Sequence, residues 1–267
     1  LGLIEFKYDE ATTVRTAMAI AREGRLPAVG MISSEGPRNP PLVAYVLAPP
    51  FLVSDDPRLA AAWLALLGVA AVALTYWMGN AFFRWPVGAV AAALFAASPW
   101  AVFQSRKLWT QNLPLFTLLF ISSLLVLTVR RRSWALVPAF AALGALISLH
   151  LGGLAFLVVL AAVLVLFRHR VRPRPLLVGF ALLLLILSPY LVHDAMHGWA
   201  NLRAFGHLGS SGPSFNLRAL TMAVRVVGGS HLEDLAGAQQ DRFLSSILDL
   251  RWLDQLEILL CWLGFVW

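Results

Sequence analysis

Six apolar runs, at 59–78, 85–103, 113–129, 134–150, 151–167 and 176–192, each extend for at least 17 residues without an Asp, Glu, Lys or Arg. A helix needs about 20 apolar residues to cross the hydrocarbon core of a bilayer, with about 17 as the lower limit. Such runs leave few options for a soluble fold, and the rest of the composition agrees. Only 13% of the 267 residues are charged and 59% are hydrophobic, whereas a soluble domain carries about 25% charged residues. The expected fold class is therefore all-α, a polytopic transmembrane helical protein with outer-face loops and interfacial helices. A seventh run begins near Leu256, and the apolar ends "LGLI" and "LLCWLGFVW" read as cuts, so the chain is expected to be a fragment of a longer protein. Four regions follow: a first outer loop with an interfacial helix at 1–58, a bundle of about six helices at 59–192, a second outer loop at 193–254, and the start of another span at 255–267.

Threading the chain through these runs sorts the connections into two sets. One holds Arg84, then Arg130, Arg131 and Arg132, then "RHRVRPR" at 168–174: eight arginines and no acid. The positive-inside bias places that set in the cytoplasm. The other set, with Asp9 and Glu10, then faces outward, and the 14 acidic residues fall on that side or at its border. The run 134–167 could also be one long tilted span, but "HLGG" at its middle suits a turn, and a single span would put "RHRVRPR" outside. Tyr76, Trp77, Trp85, Trp134 and Tyr190 stand at run ends, where interfacial anchors are expected. The formal charge of +7 does not imply nucleic acid, because the basic residues form short clusters flanking apolar runs. The single cysteine, Cys261, excludes an internal disulfide within this chain and a cysteine-based zinc cluster.

The outer segments hold the polar chemistry. Residues 9–23 are expected to form a helix at the interface, with Val14, Met18 and Ala21 as its apolar stripe and Gly24 as its stop. Asp9 suits an N-cap and Glu10 the first turn. Both are also candidates for chemistry, and the two roles are compatible. In "QSRKLWTQN", Arg106 and Lys107 read equally as snorkelling cations and as a cationic pair for a lipid phosphate. His193, Asp194 and His197 resemble a metal cluster at first sight, but no HExxH-type spacing is present, so they are read as solvated or hydrogen-bonded groups. The spans carry almost no ionisable residue at mid-depth, which weakens a proton- or ion-coupled transporter reading.

The order of these features, "DEA" before an amphipathic helix, a "PPL" re-entry, "SPWAVFQSRKLWTQN" closing a span and "SPYLVHDAMHGWANLRAF" leaving one, resembles the membrane-embedded GT-C glycosyltransferases. Its specific likeness is to bacterial relatives of protein O-mannosyltransferase and of the aminoarabinose transferase acting on lipid A, and it extends to about Phe205. The resemblance implies an enzyme of the bacterial inner membrane with its active site at the outer face. It would transfer a sugar from a polyprenyl-phosphate donor to a glycolipid, polysaccharide or protein acceptor, with inversion. It also implies that Asp9 occupies the essential acidic position and that Glu10 is the second member of the pair. Arg106, Lys107 and Arg15 are then candidates for the departing phosphate, Gln111 and Asn112 for sugar or phosphate, and Tyr190 for the donor lipid or for plain interface anchoring.

The match is not complete. Relatives often place an acid after the "SR" pair, where this chain has Gln111 and Asn112, so no metal and no other cofactor is expected here. Asn39 precedes the proline pair where relatives often have a basic residue. A flippase or transporter of lipid-linked saccharides, or a non-catalytic membrane scaffold, are the alternatives from other classes.

Overall fold

The computed structural model describes residues 7–33, 36–109 and 114–208, with Leu259. Ordered by contact, the chain forms two units, residues 1–96 with 104–211 and residues 97–103 with 212–267. Among the described residues the structure is helical, with one isolated β-bridge between Ile32 and Arg38 and no strand. The helices are α1 (Tyr8–Glu23), α2 (Leu42–Phe51), α3 (Pro57–Phe82), α4 (Trp85–Ala97), α5 (Pro99–Gln104), α6 (Pro114–Thr128), α7 (Leu136–Leu149), α8 (Ala155–Leu166), α9 (Pro173–Met196) and α10 (Ala200–Leu208). All but α5 are treated below as parts of the first unit.

Among the described residues two helices, α3 with 26 residues and α9 with 24, are long and apolar enough to cross a membrane. At 1.5 Å per residue each rises by more than about 35 Å, against about 30 Å of hydrocarbon. A core helix of a soluble protein hides its apolar surface, whereas only 22% and 17% of the most apolar windows of α3 and α9 are buried. The other expected spans are shorter. Run 85–103 is divided at Ser98, before Pro99, into α4 and α5, because a proline both lacks an N–H and disfavours helix at the residue before it. Helix α6 has 15 residues, a rise of about 22 Å.

The threading of the first unit alternates. Asp56 accepts from the Arg58 N–H at 2.9 Å, and with Pro57 in the first helical position it starts α3. At the far end the chain turns back into α4 so tightly that a Cβ on Gly79 would collide with the Gly88 backbone. Helix α7 is buried along nearly its whole length, between α6 and α9. The core there is built from Phe120, Leu127, Leu136, Phe140, Leu143, Leu160 and Leu183. Gly179 of α9 sits against Phe140 and the Leu136 carbonyl, and Gly144 of α7 against Leu183 and Ile186. These pairs advance together along both chains, so α7 and α9 run parallel. Parallel neighbours require a return segment, and 151–166 supplies it. The helix therefore breaks at His150, which is extended (φ −156°, ψ 135°) and accepts from the Gly152 N–H through Nδ1 at 3.0 Å.

A second core sits at one end of this bundle. Val14 and Ala17 of α1, Val43, Leu47 and Phe51 of α2, and Ala60 and Leu64 of α3 enclose it, together with Leu108 and Leu149. The expected stripe of α1 thus packs on α2, with Met18 and Ala21 at its edge, and the apolar stretch after "PPL" is a helix in its own right.

Candidate functional site

The geometry of the site begins with the start of α1. Lys7, not Asp9, is the N-cap; Asp9 and Glu10 are the second and third residues of the helix. The reason lies in Glu10, whose carboxylate reaches back to accept the Lys7 backbone N–H at 3.1 Å, the reciprocal half of a capping box. Glu10 is 2% exposed. A carboxylate so deeply placed needs partners, and the second is Lys107, whose Nζ lies 3.7 Å from Glu10 Oε1.

Lys107 reaches that position because its neighbour is an anchor. Leu108 is 1% exposed and belongs to the core shared by α1, α2 and α3. Burying Leu108 fixes the short segment around it, and a tight turn from the Trp109 N–H to the Lys107 carbonyl, 2.8 Å, sets the residues on either side. The Lys107 ammonium then stands 4.5 Å from the centre of the Trp109 ring, within cation–π range. Lys7, Tyr8, Asp9, Glu10, Lys107 and Trp109 together line a pocket of about 260 Å³.

The two acids of the pair differ in environment. Glu10 is engaged by the Lys7 N–H and by Lys107. Asp9 is half-buried at the pocket wall, and among the described residues no hydrogen bond or ion pair holds its carboxylate. One acid is spent on architecture and the other faces the space.

Of the remaining candidates, Arg106 and Arg15 are exposed and do not line the pocket. Gln111 and Asn112 lie outside the described residues. Tyr190 is not at the pocket either; it is 8% exposed, and its hydroxyl donates to the Arg38 carbonyl at 2.9 Å. Tyr76, Trp77, Trp85 and Trp134 are exposed, as anchors would be, and Tyr190 is not. Asp194 is 3% exposed and receives the backbone N–H groups of Asn201 and Leu202 at 2.8 and 3.2 Å, so it holds the start of α10. His193 and His197 stack at 4.0 Å. Among the described residues no three His, Cys, Asp or Glu side chains are grouped to hold a metal ion.

The loop between α1 and α2 is fastened beside these groups. Asn39, 5% exposed, accepts the Leu151 N–H at 3.2 Å through its side-chain oxygen, and the Arg38 N–H donates to Asn201 Oδ1 at 2.8 Å. Arg22 meets Asp55 at 3.2 Å. Sequence reasoning missed Lys7, Tyr8 and Trp109 as pocket residues. The signal for Trp109 was available in "RKLW": an apolar residue flanked by a cation and an aromatic projects those two away from whatever it is buried in.

Comparison with protein-family models, with curated proteins and with solved structures gave no match to this chain.

Proposed function

We propose that the chain is part of a polytopic membrane glycosyltransferase that moves a sugar from a polyprenyl-phosphate donor to an acceptor hydroxyl at the outer face. The observation that carries the reading is the meeting of Asp9 and Glu10 with Lys107 in one pocket, which gives a carboxylate and a cation to one small volume. An acceptor hydroxyl is a weak nucleophile, and a positioned carboxylate can take its proton as the new bond forms. Asp9 has that role. The acceptor oxygen bonds to the anomeric carbon, the bond from that carbon to the phosphate oxygen breaks, and the electron pair leaves with the phosphate. A single displacement of this kind inverts the anomeric centre. Lys107, prealigned by Glu10 and Trp109, faces the charge that builds on the phosphate, which is where a fixed cation helps most. The phosphate ester carries its own activation, so the reading calls for no cofactor.

The test uses the full-length protein in lipid, radiolabelled polyprenyl-phosphate sugars and cell-envelope acceptors, with wild type and Asp9→Asn side by side. The expected result is transfer by wild type and a loss of about a hundredfold or more in the variant, with insertion and donor binding retained. Equal transfer by both removes Asp9 from the chemistry. Donor movement across the bilayer without transfer replaces the enzyme by a transporter.

A further inference from the structure

The end of the bundle opposite the pocket carries arginines and, among the described residues, no acid. Two links meet there: Arg172 donates its backbone N–H to Ser133 Oγ at 2.9 Å, joining the turn after α6 to the turn before α9. Arg131, Arg132, Arg172 and Arg174 are all exposed around that junction. The described acids, Asp9, Glu10, Glu23, Asp55, Asp56 and Asp194, belong to the other end, a helix length away. Arg131 has φ 56°, the left-handed conformation that glycine fills most cheaply at the end of a helix, and the Arg132 N–H closes that end on the Val126 carbonyl at 3.2 Å. An arginine stands where the backbone favours glycine. Beside this cluster Trp134 is 58% exposed, and Trp85, at the start of α4, is 66% exposed. Exposed tryptophans at the ends of apolar helices settle at headgroup depth, which places the arginine cluster level with lipid phosphates.

We infer that the junction of the 130–133 and 168–174 links is a binding site for anionic phospholipid headgroups of the phosphatidylglycerol type, with the Arg131–Arg132 and Arg172–Arg174 guanidiniums gripping the phosphate diester. Guanidinium forks match phosphate oxygens in pairs, and basic clusters directly cytoplasmic of apolar helices attract anionic lipid. The inference rests on the membrane-spanning half of the proposal above and not on its catalytic half.

The experiment titrates the full chain, purified in neutral detergent, with phosphatidylglycerol, phosphatidylcholine or inorganic phosphate, and counts bound lipid by native mass spectrometry. Wild type should bind phosphatidylglycerol at least about tenfold more tightly than phosphatidylcholine, and added salt should erode that preference. R131Q/R132Q and R172Q/R174Q should each reduce it severalfold, while R22Q/R25Q on α1 and the loop after it leaves it unchanged. Two separate pairs are used so that a fold defect in one leaves the other informative. No preference in wild type, or full preference in both pairs, overturns the inference. Displacement of the lipid by an equal concentration of inorganic phosphate also overturns it, in favour of a free-ion site. A chain that does not insert into bilayers ends the membrane reading and this one together; a chain that inserts without lipid preference ends this one alone.

Discussion

Asp9 and Glu10 are adjacent in sequence and differ in environment, and substitution should separate them. Glu10→Gln keeps the shape of the side chain but removes the charge that faces Lys107 and weakens the bond to the Lys7 N–H. Hydrogen bonds and pairs involving a buried charge are worth about 2 kcal/mol, so Glu10→Gln should lower the melting temperature, whereas Asp9→Asn should not. Lys107→Met alone leaves the carboxylate of Glu10 buried without its cation. The double variant should therefore lose less stability than the two single losses added together, by more than about 0.5 kcal/mol. Additive losses in thermal melts would mean that the 3.7 Å pair is incidental. His150 offers a second residue-level test. Burial holds its imidazole below the ordinary histidine value, and its Nδ1 must stay unprotonated to accept the Gly152 N–H. The folded state thus binds fewer protons than the unfolded state, and stability from this group rises with pH. It is fully present above the unfolded value of about 6.5 and is lost as pH falls below that toward the lower folded value. Melts at about pH 7.5 and 5.5 should show a drop for wild type and a smaller one for His150→Asn, whose amide oxygen can take the same bond; equal drops in both would dismiss the role of His150.

At the scale of helices, one close approach in the main core is Gly179 of α9 against Phe140, where a Cβ would lie 2.8 Å from the ring and 2.9 Å from the Leu136 carbonyl. Gly179→Leu has nowhere to put its side chain, and overpacking of this kind costs about 1–3 kcal/mol or more. The expected outcome is a lower melting temperature even though the substitution makes α9 more apolar; a neutral Gly179→Leu would mean that α7 and α9 do not pack in this register. Asn39→Ala removes the acceptor of the buried Leu151 N–H, at about 1–2 kcal/mol. Much at this scale is legible in the chain itself. Asp56–Pro57 announces the start of α3, the Val14–Met18–Ala21 spacing announces the packed face of α1, and "HLGG" announces the turn that lets α7 and α9 lie parallel. Two features are not legible. The 85–103 run looks continuous to hydropathy, which scores Pro99 mildly and takes no account of its missing N–H. The 42–51 stretch is apolar but too short to be recognised as a span, and its prolines at 49 and 50 disguise a helix whose role is to cover α1.

For the molecule as a whole, the arrangement of charge can be read from the order of residues alone, because polarity along the sequence maps onto alternating ends when helices go back and forth. The pocket cannot. Glu10 and Lys107 are joined only after α1, α2 and the segment around Leu108 share a core, and a contact between residues so far apart leaves no period in the sequence. Both the proposed chemistry and the proposed lipid site depend on the two ends facing opposite compartments, and that is open to direct test. In a Cys261→Ser background, Arg25→Cys places a thiol at the pocket end and His169→Cys places one in the basic link; both positions are exposed. Helices α3 and α9 separate these ends by more than about 35 Å, beyond the reach of a membrane-impermeant maleimide added from one side. In intact cells the thiol at position 25 should react and the one at 169 should react only after permeabilisation, as the arginine bias requires. The reverse order would turn the pocket toward the cytoplasm, and transfer at the outer face would then have no carboxylate to perform it. Reaction of both from one side would remove the alternating thread itself, leaving α3 and α9 as surface helices and the arginine junction without a bilayer to face.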